Sequence, residues 1–297
     1  MAEDAGARLE EVTGTNVEVS LQSAEAGSIP LEPPLSLIAR SSNRRASTRV
    51  AAILPVELVL VQQDRGVLTA RSVDIGMQGI CVNTRCPIDR DSVGLIRFVL
   101  GRDHLELSVT PRWSSETLSD EGPLIGFSFD TVDVRSEASL WNFVQERGRE
   151  LSRFLRSCDG LDQLTFEDSF ELALSTRLRD VERDQMVYGR AGSASIFLLF
   201  RGSVALERTC DRHGQEFARV QPGEIFGGAP TLAGCTPFER AVATENSTVL
   251  EFLAYNVDYL ISAKPPLGVA LLRAAAFHWM RRFARTLDRL SNQSALP

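Results

Sequence analysis

The stretch SSNRRASTRV, residues 41–50, sets three arginines within six residues, Arg44, Arg45 and Arg49, in a chain of formal net charge −7. An apolar run, VAAILPVELVLV, follows at once, so the cluster stands at the entrance to a folded region. Guanidinium groups crowded in this way form a local cationic clamp, suited to a small anionic ligand. A nucleic-acid coat protein is disfavoured by the sequence pI near 5.2, because that kind of affinity rests on neutralising many phosphates with a basic face.

The remaining reactive side chains do not converge on a catalytic set. His104, His213 and His278 are the only histidines; none lies in HExxH spacing, and there is neither a GxSxG elbow nor a Walker loop, so no enzymatic activity is expected. His278 is read as a packing residue on the side of a helix. The five cysteines, Cys81, Cys86, Cys158, Cys210 and Cys235, are odd in number and lack CxxC spacing. They are expected to be buried free thiols, with no disulfide framework and no structural zinc.

The elements that must hold the arginines follow from the pattern of apolar runs. With 297 residues, 43% of them apolar, the chain suits two ordinary domains. Residues 1–40 have the composition of a poorly ordered tail, without an aromatic residue. From Val50, short apolar runs such as ILPVELVLVQ, VLTARSVDI, GICVNT, LIRFVL, LELSVTPRW and PLIGFSFD alternate with turn signals, which predicts a small antiparallel barrel or sandwich. A helix with apolar positions at Leu140, Val144, Leu151, Phe154 and Leu155, continuing through Gly148, closes a first domain of residues 41–157.

The second domain, residues 158–297, opens on a helical stretch, DGLDQLTFEDSFELALSTRL, and returns to strands with SIFLLFRGSVALER, EFARVQPGEIFGG and STVLEFLAY. After two prolines a long last helix places Leu267, Leu271, Ala274, Phe277, Met280, Phe283 or Ala284, Leu287 and Leu290 on one side. That stripe serves core packing or a homodimer seam. The cluster Arg281, Arg282 and Arg285 reads as a solvated helix face. No segment has the length of apolar sequence needed to span a membrane, and the start, MAEDAGARLEEV, is unlike a signal peptide, so a cytoplasmic location is expected.

The arginine cluster gains meaning from SVDIGMQGICV, where Asp74, Gly76 and Gly79 mark a strand-to-strand turn. Together with Arg45 and Arg49, these residues resemble the paired RxxxR and [DN]xSxxG motifs of the PilZ domain, and LIGFSFD around Gly126 is similar to that family's late strand. The resemblance covers residues 41–150 and implies binding of cyclic di-GMP through Arg44, Arg45, Arg49, Asp74, Gly76 and Gly79. A guanidinium can fork onto phosphate or guanine O6 and N7 and stack on a base, and Asp74 can accept from guanine N–H groups. The arginines are then expected to close over the barrel when the ligand arrives. Gly76 stands where the family has serine, which costs at most about tenfold in affinity for one lost hydrogen bond.

GRAGSASIFLLFRGSVALER, VQPGEIFGGAPTLAG and ERAVATENSTVLEFL resemble the cyclic-nucleotide-binding domain of catabolite activators and kinase regulatory subunits, over residues 160–292. Gly202 falls at a turn of the expected β-roll, and PGEIFGG stands where the phosphate-binding cassette begins, with a short helix expected after Gly227. Cyclic AMP binders read F-G-E there, whereas this chain reads Phe226, Gly227, Gly228, without the ribose-binding carboxylate. Arg240 lies about three residues nearer the next strand than the family's phosphate-binding arginine, a register judged by resemblance and not by any fixed residue spacing.

The resulting expectation is a mainly β protein with helices: an antiparallel β-barrel, then a β-roll with a long C-terminal helix. Its function is that of a non-catalytic cyclic di-GMP effector or adaptor with an unknown downstream protein. Alternatives are an interaction module that binds no nucleotide, or a dual sensor that also reads a cyclic mononucleotide. Catabolite-activator relatives append a DNA-binding helix-turn-helix after this domain, and the few residues beyond the last helix leave no room for one, so no DNA contact is expected.

Overall fold

The computed structural model describes residues 49–60, 66–84, 88, 93–115, 122–189, 195–208, 215–228 and 239–294, with side chains described as far as residue 288. The tail of residues 1–40, Arg44, Arg45, Cys86, Cys210 and Cys235 lie outside the described residues.

Alternation of apolar and polar residues builds the first half into strands β1 (Arg49–Ala51), β2 (Pro55–Leu60), β3 (Val67–Gly76), β4 (Gly79–Asn83), β5 (Val93–Leu100), β6 (Asp103–Ser115) and β7 (Leu124–Phe129). In β2, Val56, Leu58 and Leu60 face inward and are buried, while Pro55 and Glu57 are exposed. The sheet runs β1-β3-β2-β5-β6-β7-β4, and β4 pairs back onto β3, which closes a six-stranded antiparallel barrel. Closure leaves none of those six strands as a free edge. The seventh strand, β1, lies end to end with β2 along one edge of β3. Leu58, Ile75, Ile80, Ile96 and Phe127 fill the interior.

Helix α1 (Val134–Arg156) begins at Asp133, whose carboxylate accepts the backbone N–H groups of Arg135 and Ser136. Its first half covers the barrel through Leu140, and its second half supplies Leu151 and Leu155 to the core of the following domain. Gly148, an unfavourable residue inside a helix, is explained by its neighbour: a Cβ there would stand 2.4 Å from the Phe170 ring. Phe170 belongs to α2 (Phe166–Leu174), a helix capped by Thr165. Cys81 and Cys158 are buried and outside any disulfide, and burial pushes the Cys158 thiol up to about 12.

Strands β8 (Arg177–Val181), β9 (Met186–Tyr188), β10 (Ile196–Arg201), β11 (Val204–Arg208), β12 (Glu216–Val220), β13 (Ile225–Gly227), β14 (Glu239–Ala243) and β15 (Ser247–Phe252) form two four-stranded antiparallel sheets, β13-β10-β15-β8 and β12-β11-β14-β9. Phe197, Leu199, Val204, Leu206, Phe226 and Val249 pack between them, as a β-roll requires. The outer face of the first sheet, through Ile196, Leu198, Leu250 and Phe252, packs on the helices. Gly202 makes the β10–β11 turn with φ +93°, and a Cβ there would meet Ser247 Oγ at 2.2 Å. The chain ends in α3 (Ala254–Ala263) and α4 (Pro265–Ser294). No helix among the described residues is long and apolar enough to cross a membrane.

Two sequence expectations for α4 need correction. Its apolar positions do not form one face: Leu267, Leu271 and Ala274 are buried, but Phe277, Met280, Phe283 and Leu287 are 46%, 66%, 59% and 48% exposed. These positions recur every ~3.3 residues instead of every 3.6, so the stripe turns by about 30° per step around a straight helix. The buried line continues instead through Ala275, His278 and Arg282. Arg281, Arg282 and Arg285 are therefore not merely solvated. Arg281 pairs with Asp159 at 2.6 Å, Arg285 pairs with Glu224 at 3.2 Å, and buried Arg282 donates to the Ile225 carbonyl at 2.6 Å.

Candidate functional site

The barrel's register decides what stands beside Arg49. Across neighbouring strands, Val50, Ile75, Ile80 and Phe127 form one row; all four are buried, the last three in the barrel core. Residues one step along therefore face outward. The first outward row is Arg49, Gly76, Gly79, Ser128 and Thr110; the second is Ala51, Asp74, Cys81, Gly126 and Trp113. Arg49 and Asp74 meet there, with Arg49 Nη1 3.1 Å from Asp74 Oδ1 and the two side chains 29% and 27% exposed. A half-exposed ion pair of this kind contributes little to stability, about 0 to 1 kcal/mol, and exchanges readily for a ligand's own donors and acceptors.

Three glycines stand next to that pair. A Cβ on Gly79 would lie 2.2 Å from the Phe127 carbonyl oxygen, so close strand approach, not a special φ, demands glycine there. At Gly126 a Cβ would fall 2.2 Å from Trp113 Nε1, so the Trp113 indole occupies the space a side chain would take. Together with Gly76 they line part of the barrel's outward side; all three are buried, Gly126 beneath the Trp113 indole. Arg49 and Asp74 flank them on one side, and Trp113, Ser128 and Arg112 on the other, where Arg112 Nε donates to Ser128 Oγ at 2.8 Å. From β3 to β6 are three strand spacings, about 14 Å. The site thus offers cationic donors at both ends, a carboxylate acceptor and one aromatic face.

Of the residues expected from sequence, the structure brings together Arg49, Asp74, Gly76 and Gly79. Arg44 and Arg45 lie outside the described residues. Sequence reasoning missed Arg112, Trp113 and Ser128. The available signal was Gly126: a glycine inside a strand run, LIGFSFD, marks a place where a neighbouring group approaches closely.

In the β-roll, Phe226 is fully buried, stacked with Phe197 at 5.5 Å and with Tyr188 at 6.2 Å between ring centroids. Gly227 and Gly228 both have left-handed backbone, φ +71° and +74°. A Cβ on Gly228 would stand 2.6 Å from Ile196 Cγ1. Strand alternation then separates the neighbours Glu239 and Arg240. Glu239 accepts the Tyr188 hydroxyl at 2.5 Å beside the aromatic stack, whereas Arg240 points to the outside and binds Glu207 at 2.7 Å. Arg240 is thus not assembled with Phe226, Gly227 and Gly228. The residues after Gly228, where a short helix was expected, lie outside the described residues.

The polar groups inside the roll answer one another. Burial raises the pKa of Glu239, and burial with the Glu239 charge pushes the Tyr188 phenol well above its ordinary range. Burial lowers the pKa of Arg282, opposed by the nearby Glu239 and Glu224 carboxylates. His278 is buried, with Nε2 3.1 Å from the Asp159 carbonyl, and burial lowers its pKa, as suits a neutral packing residue. Among the described residues no cluster of His, Cys, Asp and Glu could hold a metal ion.

Comparison with known proteins places the PilZ domain on residues 43–146. No curated protein matches the chain. Similar solved structures include a cyclic nucleotide-binding domain from Methylobacillus flagellatus KT, with 18% identity over 51% of this chain and 86% of that one, and a TM-score of 0.45. A putative cyclic nucleotide-binding protein from Geobacter metallireducens GS-15 shares 21% identity over 44% of this chain and 97% of that one, at a TM-score of 0.39. The N-terminal domain of a transcriptional regulator from Streptomyces coelicolor A3(2) shares 26% identity over 46% and 95%, at a TM-score of 0.35.

Proposed function

Since residues 43–146 are a PilZ domain, we propose that this chain is a non-catalytic effector that binds cyclic di-GMP on the outer face of its barrel. The observation that carries this reading is the Arg49–Asp74 pair beside Gly76, Gly79 and Gly126. Arg49 turns from Asp74 to a phosphate or to guanine O6 and N7, and Asp74 then accepts guanine N–H groups. Arg44 and Arg45, a few residues upstream, add cationic donors. At the far side, the Trp113 face suits the second base and Arg112 the second phosphate. Calorimetric titration of the full chain with cyclic di-GMP tests the reading. Arg49→Ala, by removing charge-assisted bonds of about 1.5 to 3 kcal/mol each, is expected to weaken binding at least tenfold. Equal affinity in parent and variant places the ligand elsewhere.

The second domain, in this reading, does not take a cyclic mononucleotide and serves self-association. Phe226 is stacked into the core, Gly228 brings no carboxylate, and Arg240 faces outward on Glu207. The exposed positions Ala276, Met280, Phe283 and Leu287 of α4 follow the four-three-four spacing of a coiled-coil seam, which a second copy of the same helix complements. Sedimentation of the full chain at tens of micromolar is expected to give a dimer, and Met280→Glu with Phe283→Glu a folded monomer. A monomeric parent contradicts this part.

A further inference from the structure

The segment Arg49–Leu54 belongs to two cores at once. Val50 is buried in register with Ile75, and Ala52 is buried in the barrel core. Ala51, between them, is 1% exposed and buried in the other core, with Leu155, Leu178 and Leu250, and Ile53 packs against that same core. β1 accordingly touches α1, α2 and β8 as well as β3. Arg49 shares its outward face with Ala51, two residues away, about 7 Å along the strand. One three-residue strand thus carries a ligand-site arginine at one end and a second-domain core residue at the other.

Side chains tie this strand down from both sides. Ser72 Oγ accepts the Leu54 N–H at 2.9 Å and donates to the Ala52 carbonyl at 2.6 Å, fixing the segment on β3. From α1, Arg147 Nε donates to the Ala51 carbonyl at 3.4 Å, and its guanidinium carbon lies 5.9 Å from the centroid of the Phe200 ring on β10. Phe154 meets that ring edge-on at 4.6 Å. Arg147 therefore bonds the backbone of the ligand-site strand and stacks on the second domain with one planar group, a pairing that lysine could not reproduce.

We propose that β1 transmits occupancy of the barrel site to the second domain, with Arg147 as the positioning residue that couples them. The proposal rests on the reading that cyclic di-GMP binds at Arg49 and Asp74. A short terminal strand opens locally at low cost, and a ligand that bridges β1 and β3 suppresses that opening. Every suppressed opening also keeps Ala51 and Ile53 in the second core, where close packing leaves no intermediate arrangement. By linkage, whatever factor the ligand contributes to that dock, the dock returns to ligand affinity.

Hydrogen exchange on the full chain, with and without saturating cyclic di-GMP, tests this together with calorimetry. In the parent, amides of β8 and β10 are expected to exchange about fivefold more slowly with ligand, the lower end of ordinary coupling between sites. In Arg147→Ala the ligand still binds, weaker by a similar factor, and those amides no longer respond. Phe200→Leu, which removes only the ring under the guanidinium, reproduces the effect if Arg147→Ala does not fold. Unchanged β8 and β10 exchange in a parent that binds the ligand overturns the coupling and leaves the ligand reading standing. Absence of binding to the parent overturns both.

Discussion

Arg49 and Asp74 sit on adjacent strands of the barrel, as Arg240 and Glu207 sit on adjacent strands of the roll. Both pairs are half-exposed, at 3.1 and 2.7 Å. What differs is the ground beside them. The barrel pair borders three buried glycines, Gly76, Gly79 and Gly126, the last beneath the Trp113 indole. The roll pair is on the outside as well, across its sheet from the buried rings of Phe226, Phe197 and Tyr188. Strand alternation by one residue separates Arg240, on the outside, from Glu239, which reaches Tyr188.

The inside of the roll sharpens the contrast. Its interior polar groups include Tyr188, Glu239 and, from α4, Arg282, while Arg177 and Arg179 on β8 pair with Glu251 on β15 at 2.6 and 4.0 Å. Arg282→Ala leaves Glu239 and Glu224 without their buried counter-charge. We expect a loss of about 3 to 5 kcal/mol in second-domain stability, read by urea unfolding followed at Trp279 of α4. Arg240→Ala removes only an outer pair and is expected to cost below about 1 kcal/mol. Equal costs would erase the distinction between the two arginines.

A smaller effect is expected from placing a carboxylate at Gly228. Gly228→Glu must place a side chain at φ +74° against Ile196, at about 1 to 2 kcal/mol for the left-handed backbone alone. The variant is predicted to be less stable and still not to bind cyclic AMP, by thermal melting and titration. Micromolar binding by that variant would mean that one missing carboxylate, and not the whole interior arrangement, set the specificity. Gly76→Ser makes the matching change in the barrel. Its backbone is not left-handed, so a hydroxyl is expected to be tolerated and to strengthen cyclic di-GMP binding by at most about tenfold. Weaker binding would show that this position must stay without a side chain.

Much of this comparison was legible in the sequence, and unevenly so. The strand runs and turn glycines gave both β architectures, because period-two burial and left-handed turns leave direct marks on residue type. Arg49, Asp74, Gly76 and Gly79 were readable because their motif spacing is local on either side of a single register. Trp113, Arg112 and Ser128 were not, since they reach the site only through pairing of β6 with β7 and a bulge between Pro111 and Trp113. The two fates of α4 were also hidden. Its apolar positions drift around the helix, and nothing local distinguishes buried Arg282 from exposed neighbours. The double role of Ala51 is another property of packing: alanine carries no sign of which core it enters.

In the proposed function, cyclic di-GMP binds the barrel at Arg49 and Asp74 and no cyclic mononucleotide enters the roll, where Phe226 is stacked into the core. Titrating the same preparation of the full chain with cyclic di-GMP, cyclic AMP and cyclic GMP by calorimetry addresses it directly. Saturable binding of cyclic di-GMP alone, lost or weakened at least tenfold in Arg49→Ala, is the predicted result. Saturable micromolar binding of a cyclic mononucleotide, or no binding of cyclic di-GMP, would contradict it.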